Sequence, residues 1–242
     1  MNQWWAGALA IVAVFVELVV VHFALDIPRQ VTWLADLATF AVLIGFIGVA
    51  SGKGPVGFLI DDRNKLSLSR LQVTLWTLIA LSAVAAVVLI RLAAGESPDV
   101  EIPEPLLWAI GISGTALAGT AVIQHVKMEP ARAPGRPRAG LTNTRGCIVV
   151  NGSPAEAKWT DLFMGEEDGN FDHLEIGKVQ MFYFTVIAVI VYSLSILQLL
   201  GSDASTSAIG SLPELSGGLI ALLGLSNGLY LAKKAVPNTP PA

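Results

Sequence analysis

Six apolar stretches, Trp4–Leu25, Val31–Ala50, Leu71–Ile90, Leu106–Ile123, Val179–Leu200 and Leu215–Ala232, dominate the chain. They run for 22, 20, 20, 18, 22 and 18 residues, and the last four hold no Asp, Glu, Lys or Arg. A helix rises about 1.5 Å per residue, so each stretch is long enough to cross a hydrocarbon core about 30 Å thick. The apolar residues run on rather than alternate, which selects helices over barrel strands. With 53% hydrophobic and 14% charged residues, the chain has neither the charge of a soluble globule nor the polarity of a disordered one. A single cysteine, Cys147, excludes a disulfide framework, and a net charge of −4 argues against nucleic-acid binding. The sequence predicts an all-α integral membrane protein with the lipid bilayer as its principal partner. The first stretch is long for a signal-peptide core and carries Glu17, so it reads as a retained helix.

Basic residues fix the expected orientation, because Lys and Arg collect on the cytoplasmic side. With the N-terminus inside, 13 of the 15 basic residues fall in cytoplasmic segments, and only Arg29 and Arg91 fall outside. Six spans with both termini inside follow. Trp33 and Trp108 are expected at the outer interface, and Arg91 is expected to reach the headgroups.

The chain also contains a repeat. Leu66–Thr77 aligns without a gap with Leu174–Thr185, matching Arg70 with Lys178, Gln72 with Gln180 and Trp76 with Phe184. Pro103-Glu104 and Pro213-Glu214 then open the two partner helices. Each unit starts and ends on the same side, so the reading is a parallel duplication of a two-helix hairpin about an axis along the membrane normal. The expected divisions are 1–50, an N-terminal helical hairpin; 51–124, the first repeat; 125–172, a cytoplasmic linker and insert; and 173–242, the second repeat.

The run Ser67-Leu68-Ser69-Arg70-Leu71-Gln72, then Trp76-Thr77, then Gly111-Ile112-Ser113-Gly114-Thr115 resembles a group of bacterial multi-pass membrane proteins. They carry such blocks twice, around a cytoplasmic segment similar to Trp159-Thr-Asp-Leu-Phe163. The resemblance spans about Phe58 to Val236 and departs at Asn227 and Gly228, which stand where small residues are usual. It implies a multi-pass protein of the cytoplasmic (inner) membrane and no particular chemistry.

Candidate site residues fall into three sets. Gly111, Gly114 and Ala118 in the fourth stretch, and Gly217, Ala221, Gly224 and Gly228 in the sixth, recur at helical spacing. Such faces let helices approach closely. They pack either within each hairpin or against another subunit, with a pore lining as a further option. Ser113, Ser226 and Asn227 lie beside them and are expected to hydrogen-bond to carbonyls or between helices. Glu17 and Asp36 are ionisable residues inside spans, where an insertion cost of about 2.5–3.5 kcal/mol makes them candidates for function. Glu17 reads either as a proton or cation site or as a neutral hydrogen-bonded acid. His22, five residues on, is off its helix face.

Other motifs carry less. Gly52-Lys-Gly-Pro-Val-Gly57 follows a membrane helix rather than a strand, so it is no phosphate loop. Asp168–Asp172 lacks the central glycine of a calcium loop, and Glu166-Glu167-Asp168 reads as a solvated turn. His125 and His173 lack further ligands, so no metal or cofactor is expected. Pro130–Arg138 is expected to be an extended linker and Cys147–Val150 a short strand turning at Asn151-Gly152. Phe58–Ile60 and Trp159–Phe163 are expected to lie on the inner membrane surface. The leading functional expectation is a non-enzymatic membrane subunit, a scaffold, anchor or sensor acting through helix packing, with a second copy or another membrane protein as partner. The alternative is a small channel or proton-linked transporter using Glu17.

Overall fold

The computed structural model describes residues 3–24, 27–129, 143–202, 206 and 209–238, with side chains from residue 11. Six helices carry the fold: α1 (Gln3–Phe23), α2 (Arg29–Ala50), α3 (Leu68–Ala93), α4 (Glu104–Lys127), α5 (Ile176–Gly201) and α6 (Gly217–Ala235). The all-α expectation holds. Four of them, α2 to α5, are long and apolar enough to cross a membrane. In α1 the described apolar part is the shorter Ile11–Phe23, and α6 ends on Lys233 and Lys234. The linker expected at 130–138 lies outside the described residues.

Helix boundaries follow local chemistry. Pro103 precedes α4, with Glu104 in its first turn where the helix dipole favours an acid. Ser216 caps α6 by accepting from the Leu219 amide at 3.3 Å.

The centre is a four-helix bundle of α3 to α6. α4 packs on α3 and α6, α5 packs on α3 and α6, and α1 and α2 lie against α3. Alanines line its closest approaches: Ala80, Ala83 and Ala86 on α3, Ala109 and Ala116 on α4, and Ala188 on α5 are all buried. Small side chains bring backbones together where lipid supplies no hydrophobic drive. Trp76 and Tyr192 lie between them, with ring centroids 6.0 Å apart, and Leu106, Ile196 and Leu223 belong to the same buried cluster.

Trp33 is not in an outer aromatic belt. It is 1% exposed and donates its indole N–H to the Ser82 hydroxyl at 3.0 Å, joining α2 to α3. Trp108, 58% exposed, does face outward. Ser82→Ala should strand the Trp33 donor and cost about 1–3 kcal/mol. Thermal melts in detergent check this, with Ser195→Ala on the exposed side of α5 as the control.

The chain connections gather at two ends. At one, Glu101 donates its amide to Gly210 O at 2.9 Å, and Leu212 N returns to Glu101 O at 3.0 Å. Arg91 lies there too. Rather than reaching out to solvent, it is 8% exposed and donates to Ser97 O at 2.7 Å and Ile209 O at 3.1 Å. At the other end, the turns entering α3 and α5 are built alike. Ser67 N donates to Leu59 O at 2.9 Å and Asp61 N to Lys65 O at 3.0 Å. Glu175 N donates to Phe163 O at 2.8 Å and Gly165 N to His173 O at 3.0 Å.

Phe58–Ile60 and Trp159–Phe163 depart from the expected surface-lying segments. Leu59, Ile60 and Leu162 are buried in a second apolar cluster with Met181 and Tyr230. In the insert, β1 (Thr144–Arg145) and β2 (Ile148–Val149) form a small hairpin. It turns at Gly146-Cys147 instead of Asn151-Gly152. Gly146 has φ +56°, and a Cβ there would strike the Lys127 carbonyl, so glycine is required for both reasons.

Candidate functional site

The densest polar arrangement is a buried hub where the insert meets the helix ends. Glu166 sits at its centre. Lys234 Nζ approaches both carboxylate oxygens at 2.6 Å, Lys178 Nζ lies 2.9 Å from Oε1, and Arg63 Nη1 lies 3.4 Å from Oε2. Gln124 donates to the same carboxylate at 3.0 Å. Arg63 also holds Asp61 at 2.7 Å. Alongside, Lys127 pairs with Glu167 at 2.6 Å and donates to the Lys234 and Val236 carbonyls, while Asn238 donates its amide to Glu167 at 2.9 Å. Lys178 further donates to Met164 O at 2.8 Å, and Lys233 reaches Glu175 at 3.8 Å. Asn64 and Asn151 exchange side-chain-to-carbonyl bonds at 3.1 and 2.9 Å, fastening the loop before α3 to the insert.

The expectation of a solvated turn at Glu166-Glu167-Asp168 is therefore corrected: these residues are 6%, 3% and 7% exposed. Buried Arg63, Lys127, Lys178 and Lys234 meet buried Asp61, Glu166, Glu167 and Glu175. Each charge thus has a partner, the condition under which burial is tolerated. The sequence did hold a signal. A basic residue stands at the hub end of each of α4, α5 and α6, at Lys127, Lys178 and Lys234, and the matching acids fall together in one run. Burial alone would raise the Glu166 carboxyl, but Arg63, Lys178, Lys234 and Gln124 hold it well below the usual carboxylate range. Glu167 is likewise lowered, by Lys127 and Asn238 against its own burial.

A depressed folded value stabilises at any pH above the unfolded value of about 4.3, and that contribution is lost as pH falls through the folded one. The insert should accordingly stay attached from neutral pH down to about 4 and detach in stronger acid. Trp159 fluorescence and protease cleavage of the insert, followed together down a pH series, read this. Detachment already at weakly acid pH would contradict it.

The small-residue faces are not the packing faces within one chain. Gly111, Gly114, Ala118, Gly217, Ala221 and Gly228 are exposed, and a Cβ on Gly111, Gly114, Gly217 or Gly228 would meet nothing within 4 Å. Gly224 is half-buried, and its Cβ would touch only Ile112 Cδ1 at 3.7 Å. The residue beside it, Leu223, is the buried one at 1%. Between α4 and α6, Gly111, Gly224 and Gly228 line a groove of ≈ 320 Å³ together with Trp108, Thr115 and Leu231. Asn227 lines it while 3% exposed. Its amide donates to Leu223 O of its own helix at 2.8 Å, not between helices, and its Oδ1 is buried without a hydrogen-bond partner. Ser113 donates to Ala109 O at 2.9 Å, and Ser226 Oγ is buried without a partner.

Asp36 meets a residue of the preceding helix. His22 does not share Glu17's face, but its Nε2 lies 3.5 Å from Asp36 Oδ2, with both side chains almost wholly buried. Glu17 lines a groove of ≈ 370 Å³ between α1 and α2, and its Oε2 is buried without a partner.

Cys147 is buried, and that burial pushes its thiol up. Among the described residues no three His, Cys, Asp or Glu side chains stand together as a metal site. No protein-family model, curated protein or solved structure matches the chain.

Proposed function

We propose that the chain is a non-enzymatic membrane scaffold subunit that seats a transmembrane helix of a neighbouring chain in its α4–α6 groove. The groove carries this reading. It is lined by Gly111 and Gly228, where a Cβ would meet nothing within 4 Å, and floored by Asn227, whose buried Oδ1 awaits a donor. In lipid, close backbone approach and interhelical hydrogen bonds are what hold helices together. In this reading all six helices cross a bacterial inner membrane, with the hub and both termini on the cytoplasmic side. The distribution of 13 basic residues against two supports that orientation.

The parallel duplication belongs to the same proposal, as does the resemblance to multi-pass proteins carrying paired hairpin blocks. Glu101 and Ser211, which pair side by side in parallel, stand at equivalent places, each two residues before a Pro-Glu pair. The two like-built turns into α3 and α5 also match residue for residue where they join the helices, Ser67 with Glu175 and Lys65 with His173. The insert, locked by the hub, would then be a rigid cytoplasmic platform.

Gly111→Leu and Gly228→Leu test the groove. A Cβ at either place meets nothing within 4 Å and the position is exposed, so helix content and melting temperature should stay as in the wild type. Intact-mass measurement from mild detergent should find the wild type associated and the variants as single chains. A wild type that runs as a lone chain, or variants that remain associated, would contradict the proposal.

A further inference from the structure

We propose that Glu17, His22 and Asp36 form one intramembrane proton-binding site, with a proton held between His22 Nε2 and Asp36 Oδ2. The argument starts from the other ring nitrogen. His22 Nδ1 lies 3.0 Å from Leu18 O. A carbonyl only accepts, so Nδ1 carries a hydrogen and Nε2 is the atom free to titrate. Nε2 faces Asp36 Oδ2 at 3.5 Å, and neither atom has another hydrogen-bond partner. Without a proton between them, an imidazole lone pair would confront a buried carboxylate. One proton resolves this, as an imidazolium beside a carboxylate or an imidazole beside a carboxylic acid. The two forms differ only in which atom holds it.

Glu17 belongs to the same site. It stands five residues before His22 on α1, on another face of the helix but near enough for its charge to act on both His22 and Asp36, and its Oε2 is buried with no hydrogen-bond partner. His22 and Asp36 together carry a net negative charge unless a proton is bound between them. In a membrane interior that charge is costly, so the site retains protons. The groove in front of Glu17, between α1 and α2, is the side on which a proton arrives or leaves.

Among the described residues no cation acts on the pair to remove the need for those protons. Among the described residues, α3 offers Arg70 at the hub end and Arg91, which is committed to Ser97 O and Ile209 O. α5 offers Lys178 in the hub, Tyr183 and the buried Tyr192, and α2 itself offers Arg29, which donates to Thr206. The Gly57–Leu59 turn holds no ionisable group. Asp26, in the α1–α2 connection, lies outside the described residues.

The test is a nitrogen NMR titration of histidine-labelled protein in vesicles of phosphatidylethanolamine and phosphatidylglycerol, with His125 and His173 replaced by glutamine to isolate His22. Nδ1 should stay protonated across the series while Nε2 titrates. Asp36→Asn, which removes the shared acceptor, should lower the His22 midpoint by at least about one pH unit, a tenfold loss of proton affinity. Glu17→Gln should lower it by a smaller amount. Should Asp36→Asn fail to fold, Glu17→Gln decides alone, because a shared site requires its midpoint to move. A midpoint unchanged in the folded variants, or a His22 protonated on Nε2 instead of Nδ1 in its neutral form, would overturn the proposal.

Discussion

Glu166→Ala is expected to be the most damaging single substitution outside the membrane, costing about 3–5 kcal/mol. The carboxylate lies against Lys234, Lys178 and Arg63, all 7% exposed or less. Removing it leaves three cations in a dry site with Asp61 and Glu175 as their remaining neighbours, so uncompensated charge, rather than a lost contact, sets the size of the effect. The partner substitution separates the two. Glu166→Ala combined with Lys234→Met should recover part of the loss, since one stranded cation is then replaced by an apolar side chain of similar length. Asp62→Ala, one residue from the hub but exposed, should stay within about 0.5 kcal/mol of wild type. Melting curves and protease cleavage of the insert measure all three. Equal effects for Glu166→Ala and Asp62→Ala would mean the hub does not hold the insert.

Leu223→Ala should be the most damaging of the conservative changes in α6. Leu223 is 1% exposed in the buried cluster that also holds Trp76, Leu106 and Tyr192, and truncating a buried leucine costs about 2–5 kcal/mol. The lower part of that range applies inside a membrane, where the unfolded helix rests in lipid and the cavity supplies most of the loss. Gly224→Ala, one residue on, adds a methyl whose nearest contact is Ile112 Cδ1 at 3.7 Å, an ordinary van der Waals distance, so its effect should be small. The glycine spacing alone suggests the opposite ranking. Melts of the two variants in one detergent decide between them.

That reversal shows how far the sequence is legible. Apolar run length located the helices within a few residues, because the hydrocarbon thickness that sets the runs also sets the helices. Periodicity identified which small residues share a face. It could not say whether that face meets protein or lipid, because in a membrane both are apolar. The close-packing role fell instead to alanines such as Ala83 and Ala116, which stand out less than glycines.

The hub is only partly legible, for a different reason: its helix-end basic residues and its acidic run show in the sequence, but their pairing does not. Lys127 and Glu167, or Lys234 and Glu166, are far apart along the chain, and an acidic run in a loop is ordinarily solvated. His22 was set aside for its angle to Glu17 on one helix, yet its partner stands on the next helix, where a helical wheel does not reach. Asp36 stands out in the sequence as an ionisable residue of a span, but the atom that faces it does not.

Membrane sidedness underlies the scaffold reading, the cytoplasmic platform and the place of the proton site, and cysteine labelling tests it most directly. Cys147 is buried, so the native thiol gives little background. Ser97, in the exposed connection between α3 and α4, and Ala155, in the exposed part of the insert, lie at opposite ends of the bundle. Six spans with both termini inside require Ser97→Cys to react with an impermeant maleimide in intact cells, and Ala155→Cys to react only after the membrane is opened. Equal reaction of both in intact cells, or of Ala155→Cys alone, would contradict it.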